Sequence, residues 1–430
     1  MKGNAVNSNR NLSVGEAQAC VLRHVAAGGI EEAPLERSLG RVLAEDVRAN
    51  RDLPPCDVSA MDGFAVRSAD LVDGGAVLTV IEDIKAGDRP QRTVGGGQCA
   101  RIMTGAPVPP GADAVIRVED TQALTDDCIE IAVPVKAGND IRVRGEAMRN
   151  GDVVLAAGTE ITPGVIGVLA TVKCARVIVR RRPRVAILSS GDELEALDAP
   201  FDPERIPESN GYALMAQVQA LGLEPVRLGI ARDDPEDLAR YLWQGLEHDV
   251  LLVSGGSSVG VHDHVRPVLE ALGVTLHFWR VEMRPGHPVA FGTHGAGGTS
   301  GERLVFGLPG NPVSSMVCFE QFVLPALRAF MGHPRRFRRT VAAVLAHAVK
   351  HHPGRAEFVR VTLQRDASGG LTATSTGAQS SGNLCSMARA DGLLIVPQDS
   401  AGLAAGAAVQ VQLLDGSAFE AASGFMEEHV

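Results

Sequence analysis

Three loops rich in glycine and serine have the residue types and spacing to bind an anion. Each follows an apolar run that predicts a buried strand. In chain order they are Ser189-Ser190-Gly191-Asp192-Glu193, Ser254-Gly255-Gly256-Ser257-Ser258-Val259-Gly260 and Gly307-Leu308-Pro309-Gly310-Asn311-Pro312-Val313-Ser314-Ser315. Glycine lets backbone N–H groups approach an oxyanion, and serine adds hydroxyl donors. A single such loop is more often a plain turn, but three of them favour an anion-binding cleft.

The third loop predicts the start of a helix. The apolar run Leu304-Val305-Phe306 enters it, and further apolar residues follow as far as Phe322. Asn311 suits the N-cap position, and Pro312 suits the first helical position, where a missing N–H costs nothing. The N–H groups at such a helix start favour an anionic ligand, with an ordinary strand–turn–helix corner as the alternative.

Charged residues near these loops extend the hypothesis. Glu193 and Asp263 could hold Mg²⁺, which prefers carboxylate and phosphate oxygens. Arg284 and His287 could attract an anion to the same crevice, although their segment could also be only a turn. Gly255 to Gly260 has the outer glycine spacing of a P-loop, but Val261-His262 replaces the required Lys-Ser/Thr, which argues against an ATPase or GTPase.

The elements that must position these loops alternate between strand and helix from residue 184 to residue 335. Strands separated by helices predict a parallel or mixed sheet with helices on both faces. Ligands of such sheets bind beyond the carboxyl ends of the strands, which would bring the three loops to one crevice.

The rest of the chain predicts three further domains. A β-rich insert spans residues 51–152 and interrupts a mixed α/β connecting domain formed by 1–50 and 153–183. Ser13 and Glu16 form a predicted capping box for a helix that ends near Val25, and this helix could also pack on the α/β domain. Five strand patterns in residues 336–430 predict a C-terminal β-barrel-like domain.

Composition narrows the function classes. The net charge of −10 argues against a general nucleic-acid binder. Seven scattered cysteines without a CxxC pair indicate reduced thiols rather than a disulfide framework. The polar N-terminus lacks an apolar signal core, and no apolar run reaches membrane-spanning length, so we expect a cytoplasmic protein without a membrane anchor.

Together these motifs resemble the molybdenum-insertion proteins of molybdenum-cofactor synthesis, namely the bacterial MoeA family, the gephyrin E domain and its plant counterparts. The resemblance extends from about Ser13 to Leu414. Besides the three loops, it rests on Ser59-Ala60-Met61-Asp62-Gly63-Phe64-Ala65 and Met103-Thr104-Gly105-Ala106-Pro107.

The resemblance implies Mg²⁺-dependent insertion of molybdate into adenylylated molybdopterin, with release of AMP. It further implies a homodimer in which the β-rich insert of one subunit completes the cleft of the other. A molybdopterin adenylyltransferase-type supplier and molybdoenzyme acceptors would be its partners.

The resemblance also assigns residue roles. Asp62, Thr104, Glu193 and Asp263 would be catalytic, and Glu193, Glu208 and Asp263 would hold the metal ion. Ser314, Arg360 and Ser381 would help form the molybdate pocket. The full set of expected substrate-binding residues is Ser190, Gly191, Gly255, Gly256, Ser257, Ser258, Arg284, His287, Pro309, Gly310, Asn311, Ser314, Arg360 and Ser381.

Four positions depart from the family pattern. Arg284 and His287 replace paired lysines, Ala147 replaces an aspartate of the insert, and Glu208 replaces an aspartate, which would move a carboxylate outward by one methylene. The departures raise an alternative, a diverged paralogue that binds the pterin or nucleotide as a carrier or scaffold. An unrelated Mg²⁺-dependent phosphohydrolase on the same core is a third reading.

Overall fold

The computed structural model describes residues 11–71, 75–256, 264–295, 301–365 and 369–415. The chain forms two compact units. The larger unit contains residues up to 31, residues 40–42 and the chain from 179 onward, and the smaller unit contains residues 32–39 and 43–178.

A six-stranded mixed sheet forms the centre of the larger unit. Its strands, in spatial order, are Val226–Ala231, Val185–Ser190, Val250–Ser254, Arg303–Leu308, Ala290–His294 and Val274–Phe278. The first four are parallel neighbours, and the last two run antiparallel to theirs. The predicted α/β domain is therefore confirmed, but the sequence did not predict the edge strand Val226–Ala231, whose residues are mostly only half-buried.

Helices cover both faces of this sheet because its strands alternate their side chains between two apolar clusters. Val185 and Ile187 belong to one cluster, and Ala186 and Leu188 belong to the other. The helices of this domain are Asn210–Gln219, Pro235–Gly245, Val265–Ala271, Pro312–Cys318 and Leu324–Phe330.

The last two helices are joined by a π-helical segment, Phe319–Val323. Together they make one apolar helix, Pro312–Phe330, with the length and composition of a membrane span. Within its most apolar stretch 83% is buried inside the protein, so this helix forms part of the core of the α/β domain.

The N-terminal helix Val14–His24 begins with the predicted capping box, since Ser13 and Glu16 bond each other's backbone N–H groups. Ala17, Cys20 and Val21 form its buried face. They join the apolar cluster that contains Phe319 and Leu327, so the helix packs on the α/β domain.

A closed five-stranded barrel follows the α/β domain, as predicted. Its strands are Thr340–Leu345, Ala356–Arg365, Leu371–Ser375, Gly392–Val396 and Ala408–Leu413. Ala356–Arg365 closes the barrel because it pairs with both Leu371–Ser375 and Gly392–Val396. Met283–Arg284, a segment of the α/β domain, adds to the barrel in parallel with Ala356–Arg365. This added strand was not predicted.

The smaller unit is built on a second six-stranded sheet. Its spatial order is Ala114–Arg117, Gly63–Val66, Gln98–Ile102, Ala76–Ile84, Cys128–Ile131 and Thr121–Thr125. Apolar clusters cover both faces, and the helix Pro163–Thr171 begins at a Thr162 cap.

Short elements complete the chain. The 3-10 helices are Leu35–Arg37, Ser68–Leu71 and Val118–Asp120, and the short C-terminal helix is Leu384–Ala388. The remaining strands are Ile30–Pro34, Val47–Arg48, Val58–Ser59, Ile141–Arg142, Val153–Leu155, Arg176–Arg180, Leu194–Glu195, Ile206–Pro207, Val349–Lys350 and Gly402–Leu403.

Candidate active site

A cleft of about 770 Å³ lies at the carboxyl ends of the parallel strands in the larger unit. All three predicted loops contribute to its wall. The residues of these loops that line it are Ser189, Ser190, Gly191, Glu193, Ser254, Gly255, Gly256, Pro309, Gly310, Asn311 and Pro312. The structure thus brings the loops to one crevice, as the order of strands and helices predicted.

The first two loops touch so closely that Gly255 is required. Its φ is +95°, and a Cβ atom there would lie 2.1 Å from the carbonyl oxygen of Ser190. Because that neighbour is backbone, it cannot rotate away. The bare backbone of this loop therefore forms part of the cleft floor. The N–H of Gly255 itself donates to the carbonyl of Leu308, which ties the loop to the neighbouring strand.

Two carboxylates line the same wall. Glu193 is exposed and belongs to the first loop. Asp233 accepts a hydrogen bond from Ser190 Oγ at 3.2 Å and one from the Asp192 backbone at 3.4 Å. Sequence reasoning missed Asp233 because it follows the edge strand that was not predicted.

Glu208 does not offer a free carboxylate to the cleft. Although the residue lines it, Glu208 is only 1% exposed. Its Oε1 accepts hydrogen bonds from Ser189 Oγ, at 2.9 Å, and from the Gly211 N–H, while its Oε2 pairs with Arg227 Nη2 at 2.8 Å. Both oxygens therefore already have partners within the protein, and the metal-binding role expected of Glu208 stays a prediction.

Asn210 joins two of the loops and was not among the predicted site residues. Its amide nitrogen donates to Ser254 Oγ and to the Gly310 carbonyl, both at 2.7 Å. Its Oδ1 is buried and has no hydrogen-bond partner among the described residues. Asn210 therefore fixes the spacing of the second and third loops and keeps one acceptor at the cleft wall.

The helix start in the third loop differs in detail from the prediction. Asn311 occupies the N-cap position and Pro312 the first turn, but the Asn311 side chain makes no capping hydrogen bond. The N–H of Val313 donates to the carbonyl of Ser381 at 3.0 Å. One of the expected free donors is thus used to attach the barrel, and the adjacent Ser314 is buried.

Arg360 lies in the barrel directly behind this attachment. It is completely buried, and its Nε donates to Ser386 Oγ while its Nη2 donates to the carbonyls of Ala378 and Ser380. Its Nη1 is buried without a hydrogen-bond partner among the described residues. Burial lowers the pKa of Arg360, although the nearby charge of Glu357 opposes that shift, and an arginine stays protonated in proteins.

The segment from Arg284 to Pro288 connects the barrel to the cleft. Pro288 lines the cleft, whereas Arg284 lies in a neighbouring cavity and pairs with Glu357. His287 Nδ1 donates to the Val281 carbonyl at 2.7 Å, since a carbonyl can only accept. That bond leaves Nε2 as the ring nitrogen able to meet a ligand.

The predicted site residues of the insert lie in the smaller unit. Asp62 Oδ1 accepts hydrogen bonds from the backbone N–H and the hydroxyl of Thr104, both at 2.7 Å. These two bonds lower the pKa of Asp62. Both residues are exposed, and Asp62 Oδ2 has no hydrogen bond within the structure's described ranges.

Three predicted residues, Ser257, Ser258 and Asp263, lie outside the described residues. Within the described ranges, no group of three His, Cys, Asp or Glu side chains is arranged to hold a metal ion. Any ion bound at Glu193 and Asp233 would therefore need further oxygen ligands from a substrate or from water.

Three family models match consecutive parts of the chain. Residues 12–172 match the MoeA N-terminal region (domain I and II), residues 186–329 match the probable molybdopterin binding domain, and residues 342–414 match the MoeA C-terminal region (domain IV). The second match contains all three loops of the cleft, and the third contains Arg360 and Ser381.

Similar proteins cover most of the chain. A molybdopterin molybdenumtransferase from Nostoc sp. is 37% identical over 83% of each chain, and one from Bacillus subtilis is 35% identical over 94% of each chain. The crystal structure of a molybdopterin biosynthesis MoeA protein from Pyrococcus horikoshii has a TM-score of 0.80 and 30% identity, and the match covers 94% of this chain and 100% of that one.

Proposed function

The chain belongs to the MoeA family of molybdopterin molybdenumtransferases, enzymes of molybdenum-cofactor biosynthesis, and we propose that it inserts molybdate into adenylylated molybdopterin and releases AMP. The carrier or scaffold alternative is not favoured, because the named relatives that match most of the chain are transferases.

The observation that carries this proposal is the unpaired Nη1 of Arg360. A buried polar group without a partner is uncommon and calls for an explanation. Arg360 is held by the carbonyls of the 378–380 segment, while Ser381 in the same segment meets the helix start beside Ser314. A permanent cation, bonded to the segment that also contacts the helix of the buried Ser314, suits a tetrahedral oxyanion such as molybdate.

The glycine loops suit the phosphate-bearing end of the second substrate. Gly255 and Gly256 line the floor of the cleft, where Gly256 is half-buried, and Ser190 and Asn210 add polar side chains to its wall. The cleft volume of about 770 Å³ is within the range of small-molecule sites. In this arrangement the loops bind and orient the pterin nucleotide, and Arg360 with Ser314 holds the oxyanion that it receives.

For Mg²⁺ we propose Glu193 as the exposed carboxylate that would hold it and Asp263 as a predicted further ligand. Asp233 lines the same wall, but both of its oxygens already accept hydrogen bonds, from Ser190 and from Asp192. When bound, Mg²⁺ would neutralise charge on the pyrophosphate. Ion binding by one or two carboxylates plus substrate phosphates is usual for this metal. Glu208 uses both oxygens in contacts with Ser189, Gly211 and Arg227, and these contacts hold Gly211 at the helix start.

We further propose a cytoplasmic homodimer in which Asp62 and Thr104 of one subunit serve the cleft of the other. The free Oδ2 of Asp62 and the exposure of both residues support this role. A molybdopterin adenylyltransferase-type protein would supply the substrate, and molybdoenzymes would accept the product. Sedimentation of the full chain, and complementation between an Asp62→Asn subunit and an Arg360→Met subunit, would test the shared cleft.

The deciding experiment is a defined reconstitution with adenylylated molybdopterin, molybdate and Mg²⁺. AMP release and the activation of an apo-molybdoenzyme are measured together, and we expect both from the unaltered chain. Arg360→Met should abolish molybdate-dependent activation while leaving binding of the pterin nucleotide within about threefold, since Arg360 does not line the nucleotide cleft.

A matched control is Arg389→Met, because Arg389 also donates to a backbone carbonyl of this segment, that of Thr376, but is exposed. It should retain activity. AMP release without an active cofactor would indicate a phosphohydrolase instead, and tight substrate binding with neither output would indicate a scaffold. Equal activity of the Arg360→Met and unaltered chains would refute the proposed oxyanion pocket.

A further inference from the structure

Glu357 lies between two basic side chains at the edge of the barrel. It is 7% exposed. Its Oε1 is 3.6 Å from Arg284 Nε, and its Oε2 is 2.9 Å from His351 Nδ1. These three residues border or underlie a cavity of about 540 Å³, which Glu282 and Arg355 also line.

His351 fixes the orientation of this carboxylate. The His351 side chain is 3% exposed, and its Nδ1 donates to Glu357 because a carboxylate oxygen accepts. Its Nε2 is buried and has no hydrogen-bond partner among the described residues. Among the described residues, the imidazole therefore makes its polar contact with Glu357 alone. This hydrogen bond fixes one carboxylate oxygen and leaves the other facing Arg284.

Backbone pairing and packing link the segment of Arg284 to the strand of Arg360 and the helix of Ser314, the two residues of the proposed oxyanion pocket. Arg284 is the register partner of Glu357 on the strand that carries Arg360 three residues later. Two residues beyond Arg284, Gly286 packs on Cys318, where an added Cβ would lie 2.5 Å from the sulfur. Cys318 follows Ser314 by one helical turn, and Pro288 at the end of the segment lines the cleft.

We propose that Glu357, held by His351, is a positioning residue that orients Arg284 for capture of the incoming oxyanion. This inference rests on the proposed function, and it assigns part of the molybdate affinity to a residue outside the cleft. The side chain of Arg284 is 63% exposed, so without Glu357 its long stem would sample many rotamers and lose orientation.

A double-mutant cycle tests the inference on the full chain, with Glu357→Gln and Arg284→Gln made separately and together. Glutamine keeps the volume of Glu357 but removes its charge. We expect Glu357→Gln to raise the KM for molybdate about fivefold, to leave kcat nearly unchanged, and to add little once Arg284 is already Gln. A residue with a merely structural role would lower kcat or stability regardless of what occupies position 284.

Glu282→Gln is the matched control. Glu282 lines the same cavity and pairs with Arg355 at 3.3 Å, but among the described residues it makes no ion pair with the Arg284 side chain. It should leave the KM for molybdate unchanged. Thermal unfolding of every variant identifies a folding defect, and His351→Phe should reproduce the rise in KM because it removes the bond that orients Glu357.

Calorimetric titration with molybdate alone separates this inference from the proposed function. The dissociation constant should rise about fivefold in Glu357→Gln even if no AMP is released. If the unaltered chain binds molybdate without releasing AMP, the proposed function fails, but the dissociation constants of the variants still test the role of Glu357. An unchanged or lower dissociation constant for molybdate in Glu357→Gln overturns the inference. So does an equal rise in that constant when Glu357→Gln is made in the Arg284→Gln background. Absence of molybdate binding by the unaltered chain also overturns it.

Discussion

Replacing Arg227 by methionine should expose how strongly the cleft wall depends on a buried ion pair. Arg227 Nη2 lies 2.8 Å from Glu208 Oε2, and its guanidinium lies 3.5 Å from the centroid of the Tyr212 ring. Arg227→Met leaves the Glu208 carboxylate buried with two hydrogen bonds and no cation. The exposed fraction decides the magnitude, because Glu208 cannot reach water whereas the Arg227 side chain is 26% exposed.

At 2.8 Å the attraction between the two charges is roughly 6 kcal/mol at an effective dielectric of about 20, before desolvation is subtracted. Removal of one partner from a fully buried pair costs about 3–5 kcal/mol. Since Arg227 is partly exposed and water can enter the vacated space, we expect a loss of about 2–3 kcal/mol. The lost cation–π contact contributes up to about 1 kcal/mol of this figure.

Hydrogen exchange of the Gly211 amide, which donates to Glu208, measures the local opening free energy. Equilibrium unfolding of this multidomain chain need not be two-state, so a local probe is preferable. Arg240→Met is the control, because Arg240 also pairs with a carboxylate, that of Asp237, and stacks on Tyr241, but its side chain is 59% exposed. It should cost less than about 1 kcal/mol. Equal protection of Gly211 in both variants would refute the reasoning.

Four further changes have defined outcomes. Gly255→Ala should lower the free energy of unfolding by about 1–3 kcal/mol and weaken nucleotide binding, because its Cβ would meet the Ser190 carbonyl. Gly222→Ala is the control, since Gly222 has a similar φ of +72° but only the flexible Arg182 side chain nearby. This control should bind the nucleotide normally. Burial lowers the pKa of His277 to about 4. Between about pH 6.5 and 4 the unfolded chain therefore binds more protons than the folded chain, so the stability of the fold falls as the pH drops through this range. A pH series of melting temperatures should show a smaller loss in His277→Gln than in the unaltered chain. Thr104→Val removes one of the two hydrogen bonds that lower the pKa of Asp62, so the pKa of Asp62 measured by carboxylate NMR should rise. The stability that Asp62 contributes is present above its unfolded pKa and is lost when acidification passes its folded pKa. An unchanged pKa in Thr104→Val would show that the hydroxyl does not contribute to the shift. His287→Lys should preserve or raise activity, because lysine supplies a positive charge for an oxyanion at this position. A marked loss of activity in this variant would count against an anion contact at His287.

The convergence of the three loops was predictable because it follows from local signals. Apolar runs end in glycine and serine at Ser190, Gly255 and Gly307, and the alternation of strands and helices places such ends at one edge of a sheet. The barrel was likewise predictable from five runs of strand-forming residues. These features depend on neighbours in the sequence, so no coordinates were needed to infer them.

The contacts that define the site depend on residues far apart in sequence. Asp233 was missed together with its strand, since Val226–Ala231 is a half-buried edge containing Arg227 and Gly229. In the central strands Val185–Ser190 and Val250–Ser254, by contrast, every residue is buried. Arg360 was assigned by resemblance alone, and a charged residue in a barrel strand would ordinarily face water. Its burial and its unpaired Nη1 follow only from the packing of the 378–386 segment around it.

Glu208, which replaces the aspartate of the family pattern, shows that the effect of such a departure depends on residues elsewhere in the chain. From sequence, the extra methylene predicted a carboxylate displaced outward. In the structure the longer side chain reaches Arg227, on the strand that sequence reasoning did not find, and becomes part of the support for the helix start. The same logic applies to Arg284, whose partner Glu357 lies on a barrel strand more than seventy residues away in sequence. If Glu357 orients Arg284 through its guanidinium, then Arg284→Lys should weaken molybdate binding in the otherwise unaltered chain but not in Glu357→Gln. An equal effect in both backgrounds would show that position 284 needs only a positive charge.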